Sequence, residues 1–310
     1  MPTVEISHRL DTVARRQVDH LLAAVADHDR AQPLSDHLVM DMHDPASTTF
    51  TGLLARGHRG ELDGYAQLQP NNGVWSLAAV VTPSQRAEQE VLAELLAASL
   101  AEVGRAGGGE VNWWVLDAGL AGADVAAAIA MAGGGLTLGR ELHQMRRTLP
   151  IDRSAGVTVR PFVVGGDEDA WLSVNNRAFA GHAEQGGWTR EQLAQREREP
   201  WFDPAGFLLH ERDGRLAAFC WTKVHDDTMS SAGPRMGEIY AIAVDPDFPG
   251  LGLGTALTVA GLEHLGGQGL TVGMLYVDAG NTGAVTMYDR LGFTVHHTDR
   301  AYLGNVEAAR

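Results

Sequence analysis

Three glycines late in the chain, Gly250, Gly252 and Gly254, have the spacing of a turn that binds phosphate. They follow an apolar run at residues 237–244 and precede a stretch typical of a helix. Glycine lets the backbone turn with several N–H groups facing one way, and the positive end of a helix dipole adds to them. The pattern predicts a pyrophosphate site at a helix start; its alternative is an ordinary surface turn.

Other phosphate-binding patterns do not fit this turn. The Gly-x-Gly-x-x-Gly spacing of dinucleotide-binding folds is absent, and no Gly-Lys-Ser/Thr follows as a Walker A motif requires. The sequence continues with an apolar strand at residues 274–277, Asn281, and a helix that contains Tyr288 and stops before Gly292 and Phe293.

This order of features resembles the acyl-CoA-binding half of the GNAT superfamily of N-acetyltransferases. The resemblance implies acetyl transfer to an amine, which needs a base for the ammonium, a polarised carbonyl and an acid for the departing thiolate. Glu238, on the strand that enters the turn, is the candidate base, and a solvent-facing carboxylate is its alternative. Tyr288 is the candidate acid, and a core aromatic is its alternative.

A sharper resemblance covers nearly the whole chain. Residues 175–189, 201–204, 221–225, 237–240 and 275–277 are similar to segments of the mycothiol synthases, two-domain GNAT enzymes of actinobacteria. That family acetylates the cysteinyl amine of a cysteine–glucosamine–inositol conjugate (desacetylmycothiol) and gives mycothiol and CoA. The resemblance implies the same reaction here. Acetylation of another small amine, or acyl-CoA sensing without catalysis, are the alternatives.

The resemblance places the family's substrate contacts on a small set of polar side chains. Carboxylates suit the cysteinyl ammonium, and a lysine can donate to sugar or inositol hydroxyls. The implied substrate-binding residues are Asp36, Glu184, Lys223, Glu238 and Tyr276. Asp36 is shorter than the family's glutamate. In the first half of the chain, residues 140–147 are the best match to the family.

The resemblance also implies contacts for acetyl-CoA, the cosubstrate, along the strand, the turn and the second helix start. The implied residues are Ile242, Ala243, Val244, Pro249, Gly250, Leu251, Gly252, Leu253, Gly254, Thr255, Asn281, Thr282, Gly283, Ala284, Val285 and Thr286. Asn281 is equally an ordinary N-cap. The family has a basic residue before Gly-x-Gly, whereas this chain has Pro249, which donates no N–H, so weaker CoA binding is predicted.

The two halves of the chain follow one pattern. Residues 80–83, before a helical stretch, resemble residues 244–246 before theirs, and the strand at 111–116 parallels the one at 274–277. Alternating strands and helices predict an α/β fold of tandem GNAT domains, each with a mixed central sheet flanked by helices.

A turn-like segment around Pro150 separates the copies. The predicted domains are residues 1–150, a degenerate N-terminal GNAT domain, and residues 151–310, the catalytic one. In the second copy, helices are predicted at 167–179, 189–198, 252–266 and 281–291, and strands at 157–161, 206–211, 215–224, 237–244, 271–277 and 293–303.

The first copy lacks the glycine turn. Residues 86–91 stand in its place, and Glu88 and Glu90 would repel a pyrophosphate there. Met131 stands where the second copy has Tyr288. The first domain is therefore expected to be structural or to line the substrate site, without binding acetyl-CoA through such a turn.

Composition narrows the remaining possibilities. The length of 310 residues with 45% hydrophobic content suits two globular domains, and a net charge of −15 opposes a nucleic-acid partner. Cys220 is the single cysteine, in an apolar stretch, so a small core residue is predicted rather than a nucleophile. The histidines show no metal-ligand spacing, so no metal is expected. Without a signal peptide or membrane-length apolar run, a cytoplasmic protein is predicted, and a monomer is expected.

Overall fold

The computed structural model describes most of the chain. The described residues are 2–29, 32–44, 47–71, 73–87, 89–116, 120–181, 185–225 and 235–309. They form two compact units, one of residues 2–142 and 299–309, and one of residues 143–225 and 235–298. These are units of packing; the predicted domain boundary at residues 150 and 151 stays a prediction.

The first unit is a mixed sheet flanked by helices. Its elements are β1 (Thr3–Ser7), α1 (Thr12–Asp29), α2 (Asp36–His43), β2 (Thr51–Arg56), β3 (Leu62–Asn71), β4 (Val74–Val81), α3 (Glu90–Arg105), β5 (Gly109–Val115), α4 (Gly122–Met131) and the start of β6 (Thr137–Thr148). Strands β1 to β4 pair antiparallel in chain order, and β4 pairs parallel with β5. The last strand, β12 (Thr294–Val306), pairs antiparallel with β5 through residues 300–306.

Strand β4 shows why this sheet carries helices on both faces. Leu77 and Ala79 belong to the apolar cluster that includes α3 and α4, whereas Ala78 and Val80 belong to the cluster that includes α1 and α2. Successive side chains of a strand point to opposite faces, so a continuously apolar strand must be covered twice.

The second unit repeats this architecture. Its elements are β7 (Arg160–Pro161), α5 (Glu168–Ala178), α6 (Arg190–Arg196), β8 (Phe207–Arg212), β9 (Arg215–His225), β10 (Met236–Val244), α7 (Leu253–Gly267), β11 (Val272–Asp278) and α8 (Thr282–Arg290). Strands β7 to β10 pair antiparallel in chain order, β10 pairs parallel with β11, and β6 follows β11 in the strand order. The mixed α/β fold is confirmed.

The predicted elements of this unit lie within a few residues of the observed ones, with one exception. A strand was expected at residues 157–161, but only Arg160 and Pro161 pair with β8. The strand therefore begins three residues later than predicted, and the carbonyl of Thr158 is contacted by the His210 side chain at 2.8 Å instead of by the backbone of β8.

The predicted internal repeat is confirmed by the pairing of parallel strands. The order β4–α3–β5–α4 recurs as β10–α7–β11–α8. The third residue pair of each parallel ladder joins Ser76 to Asn112 in the first copy and Glu238 to Met274 in the second. The position of the candidate base is therefore occupied by a serine in the first unit.

None of the helices that the structure describes is long and apolar enough to cross a membrane. Within the same residues, no group of three or more histidine, cysteine, aspartate or glutamate side chains is arranged to hold a metal ion.

Candidate active site

A β-bulge in β10 determines which side chains share a face. The register between β10 and β9 is regular up to Ile239, shifts, and resumes at Ala241, so Tyr240 is the extra residue. Ile239 belongs to the apolar cluster that contains α7, whereas Tyr240 and Ala241 belong to an aromatic cluster on the other face. In a regular strand, Ile239 and Ala241 would share a face.

The aromatic cluster packs between the sheet and helices α5 and α6. Trp221 lies at its centre, stacked on Phe207 at 4.3 Å between ring centroids and 5.8 Å from both Trp171 and Trp201. Such aromatic pairs add stabilisation beyond that of the area they bury, so the cluster stabilises this face of the sheet.

Arg196 of α6 contacts the bulged residue, Tyr240. Its guanidinium lies 4.0 Å from the centroid of the Trp188 ring, and its Nε donates to Tyr240 Oη at 3.1 Å. Arg196 is itself buried. The bulged tyrosine is thereby tied to the helix that covers it.

Two charged side chains, Glu238 and Lys223, are buried on this aromatic face. They are direct cross-strand partners in the β9–β10 ladder, and only 7% and 6% of their surfaces are exposed. Lys223 Nζ lies 4.8 Å from the Trp201 ring centroid and 5.8 Å from that of Tyr240. Cation–π attraction and the facing carboxylate offset the loss of water around the ammonium. Glu238 is therefore not the solvent-facing carboxylate of the alternative interpretation.

His225, the last residue of β9, contacts the candidate base. Its Nε2 lies 2.7 Å from Glu238 Oε2, and 27% of the imidazole is exposed. A carboxylate can only accept hydrogen bonds, so with Glu238 ionised the proton of this contact sits on Nε2.

Tyr276 of β11 lies on the same face as Glu238, since its neighbour Leu275 belongs to the cluster around α7. Its ring is 40% exposed. Its hydroxyl accepts from Gln144 Nε2 at 2.7 Å, and Gln144 Oε1 accepts from Arg146 Nε at 2.7 Å. Burial lowers the pKa of the Arg146 guanidinium from its ordinary value, and nearby Tyr276 acts in the opposite direction. The tyrosine hydroxyl is thus oriented by a chain of two side chains from β6.

The pairing of β10 with β11 ends next to Glu238. Their parallel ladder joins Met236–Ile239 to Val272–Leu275 and stops there. Each strand nevertheless continues, β10 to Val244 and β11 to Asp278. Residues 241–244 of β10 thus lie beyond the ladder with β11, an arrangement that suits an extended ligand beside this strand and fits the predicted CoA contacts of Ile242, Ala243 and Val244.

The glycine turn leads directly into α7. Gly250 and Gly252 have φ of +73° and +71°, and Gly252 is the N-cap of the helix with no side-chain cap. Two other helices of this unit begin with a side-chain cap, Thr189 for α6 in a capping box and Asn281 for α8 by accepting from Ala284 N at 3.1 Å, whereas Asp167 at the start of α5 makes no such bond. The first N–H groups of α7 thus lack the side-chain partner that such groups usually have.

Open space surrounds the same turn. A Cβ built on Gly250 or on Gly252 would meet no atom within 4 Å. Packing therefore does not require these glycines; the left-handed backbone does, and the space in front of the amides suits a pyrophosphate. Leu251, between them, is half exposed.

Tyr288 of α8 lies on the opposite face of the sheet from Glu238. It is 5% exposed, packs edge-on against Phe293 at 5.7 Å, and belongs to the cluster around α7. Burial raises the pKa of its phenol above the ordinary value, and Cys220 adds a smaller effect in the same direction. The phenol therefore keeps its proton. Cys220 is fully buried, as predicted for a core residue.

The structure brings together Lys223, Glu238 and Tyr276 on one face, and the glycine turn with Tyr288 around α7. Other predicted residues lie outside the described part of the chain: Glu184, the side chain of Asp36, and Glu88 of the first copy. The CoA and substrate roles of all these residues stay predictions.

Sequence reasoning assigned no role to His225, Gln144, Arg146 or Arg196. One signal was present for this face: Lys223 is the only lysine in the chain, where every other basic side chain apart from histidine is an arginine. A single lysine in a buried strand, in a chain that otherwise uses arginine, indicates a position that does not accommodate the larger, planar guanidinium group.

Comparisons with known proteins agree with this architecture. Residues 172–293 match the acetyltransferase (GNAT) family. Two solved structures cover nearly the whole chain, a GCN5-related N-acetyltransferase from Sphaerobacter thermophilus (TM-score 0.67, 19% identity, 99% of this chain and 97% of that one) and a tandem GNAT protein from the clavulanic acid biosynthesis pathway (TM-score 0.70, 16% identity, 100% of both). The predicted tandem GNAT fold is confirmed.

Curated sequences give a finer assignment. The chain is 45% identical over 293 residues to the mycothiol acetyltransferase of Streptomyces coelicolor, which covers 91% of this chain and 89% of that protein. It is 43% identical over 308 residues to the mycothiol acetyltransferase of Thermobispora bispora, which covers 97% and 99%. At this identity and coverage, the chain belongs to the mycothiol acetyltransferase family.

Proposed function

We propose that this acetyltransferase moves the acetyl group of acetyl-CoA to the cysteinyl amine of cysteinyl-glucosaminyl-inositol, giving mycothiol and CoA. Family membership supports the reaction class and the pathway. The observation that carries the assignment to the second unit is the buried carboxylate of Glu238 beside the point where the pairing of β10 with β11 ends. The predicted cytoplasmic location and monomeric state stay part of this proposal.

Glu238 takes a proton from the substrate ammonium. The ammonium N–H bond breaks, an O–H bond forms on the carboxylate, and the amine lone pair becomes available for the thioester carbonyl. Lys223 faces the carboxylate across the ladder. Glu238 is the candidate base because it is a buried carboxylate on the same face as Lys223 and Tyr276.

The two faces of the sheet divide the chemistry. Glu238 lies on the aromatic face and Tyr288 on the α7 face, so a thioester placed where the ladder ends presents its carbonyl carbon to one and its sulfur to the other. The amine nitrogen attacks the carbonyl carbon and a C–N bond forms. The tetrahedral intermediate then collapses: the C–S bond breaks, Tyr288 supplies a proton to the thiolate, the nitrogen loses its second proton to solvent, and solvent returns a proton to the Tyr288 phenolate. The uncapped start of α7 holds the pyrophosphate of the same ligand.

We expect Tyr288→Phe to lower kcat about 10²-fold, at the low end of general acid catalysis, because a thiolate is already a good leaving group. Burial raises the pKa of the Tyr288 phenol, so this group does not titrate within the working pH range. The alkaline limb of the pH–rate profile should therefore coincide in the wild type and the variant. A variant with wild-type kcat would contradict this role, whereas an alkaline limb present only in the wild type would show that the phenol titrates within the working range.

Lys223→Met should raise KM for the cysteinyl amine roughly 10- to 150-fold. The reason is that the loss of a buried charged hydrogen-bond donor costs about 1.5–3 kcal/mol of binding free energy. Lys223→Arg should not rescue it, since the planar guanidinium does not match the space that the ammonium fills between Trp201 and Tyr240. KM for acetyl-CoA should stay unchanged in both variants. Equal rises for both substrates would instead indicate a misfolded site.

One experiment tests the proposed function directly. The purified chain is incubated with acetyl-CoA and cysteinyl-glucosaminyl-inositol, and CoA and the acetylated product are quantified by chromatography and mass. The acceptor carries its own thiol, so the product must be shown to be acetylated on nitrogen. Glucosaminyl-inositol without the cysteine and an aminoglycoside serve as comparison acceptors. Turnover of either comparison amine at the higher kcat/KM would reject the proposed substrate.

A further inference from the structure

The contact between His225 and Glu238 is an addition to the pairing of the sheet. In the β9–β10 ladder, His225 stands opposite Met236, and Glu238 stands opposite Lys223. The backbone of both strands is therefore paired without help from these side chains. The 2.7 Å contact between Nε2 and Oε2 joins diagonal neighbours on one face.

Burial makes the orientation of the Glu238 carboxylate sensitive to this single donor. With little water around it, the carboxylate is oriented by the side chains that reach it. Lys223 faces it from β9, Tyr276 lies on the same face of β11, and Arg196 of α6 is engaged by Tyr240. The contact from His225 goes to Oε2 and not to Oε1.

We propose that His225 is the positioning residue for the base: its Nε2–H holds Oε2 and directs Oε1 to the substrate amine. The inference rests on the proposed function, because Glu238 is the base of that reaction. In this role His225 acts as a hydrogen-bond donor to Glu238 and does not itself take a proton from the substrate.

A pair of variants separates the donor from the rest of the histidine. His225→Ala removes the donor, whereas His225→Gln keeps an N–H donor on a side chain that does not titrate. His210 on β8 is the matched control, since it is a histidine of the same sheet whose Nδ1 contacts only the Thr158 carbonyl. Steady-state kinetics for both substrates across pH, with thermal unfolding curves, are measured for all three variants.

We expect His225→Ala to lower kcat about 10- to 100-fold, the loss of one hydrogen bond to a charged group, with KM for acetyl-CoA unchanged. His225→Gln should recover most of kcat. His210→Ala should match the wild type throughout.

Two results would overturn the inference. One is a His225→Ala variant with wild-type kcat. The other is a His225→Gln variant as slow as His225→Ala, which would show that the ring or its titration matters rather than the donor. Both presuppose an active wild type; an inactive wild type would reject the proposed function instead, so the two failures are distinguishable.

Discussion

Glu238→Gln is expected to lower kcat by roughly 10²–10⁴, the effect of removing a positioned general base. Glutamine keeps the size of the side chain and can accept from His225, so the ladder between β9 and β10 and the aromatic cluster beneath it should survive. It cannot take a proton from the ammonium. The loss should therefore appear in kcat, with little change in KM for acetyl-CoA.

The measurement is kcat and KM for both substrates in the wild type and the variant, with the melting temperature of each. Glu263→Gln is the matched control, because Glu263 is an exposed carboxylate on α7. A Glu238→Gln variant with wild-type kcat would mean that the amine arrives deprotonated and that positioning alone supports the reaction.

Features that depend on neighbouring residues in the chain could be predicted from the sequence. The glycine turn is local, because left-handed φ values at Gly250 and Gly252 restrict those positions to glycine in a helix entry of this kind. The N-cap at Asn281 and the end of α8 before Gly292 are local for the same reason. These elements lie where they were expected, within one or two residues.

The composition of the aromatic face could not be predicted, because it depends on strand register. Alternation along β10 would place Ile239 and Ala241 together, and only the bulge at Tyr240 separates them. The register of β9 against β10 then decides that Lys223 faces Glu238 and that His225 reaches it. None of these distances in space follows from spacing in the chain.

The first unit also has one feature that the sequence shows and one that only the strand register shows. Its lost glycine turn is visible in the sequence, whereas the substitution of the base position by Ser76 appears only once the β4–β5 register is aligned with that of β10–β11. The acid position is lost as well, although not at Met131, which is exposed: the bond from Phe293 N to Tyr288 O at the end of α8 has its counterpart in the bond from Gly134 N to Ile129 O at the end of α4, so buried Ile129 stands where Tyr288 does. Absence of base and acid supports a first unit without catalysis of its own.

Gly252→Val is expected to weaken acetyl-CoA binding by roughly two orders of magnitude, with a matching rise in its KM. Two charge-assisted hydrogen bonds from the α7 amides, at about 1.5–3 kcal/mol each, exceed what such a change requires. A Cβ on Gly252 would meet no protein atom within 4 Å, so the added side chain would project into the space proposed for the pyrophosphate.

Backbone strain has to be separated from this blockade, because a β-branched residue at φ of +71° is destabilising wherever it stands. Gly269→Val supplies the control: Gly269 has φ of +81°, also with open space around it, just beyond the other end of α7. At about 1.5 Å per residue, the length of α7 places the two glycines roughly 20 Å apart. Both variants should therefore lose a similar amount of stability in thermal unfolding.

Calorimetric titration with acetyl-CoA should then distinguish the two variants, with near wild-type affinity for Gly269→Val and little binding for Gly252→Val. Because the strain is common to both, the difference in affinity measures what the turn does for the ligand. Equal affinities would mean that the pyrophosphate is held away from α7. In that case the left-handed turn would serve only to redirect the chain from β10 into the helix.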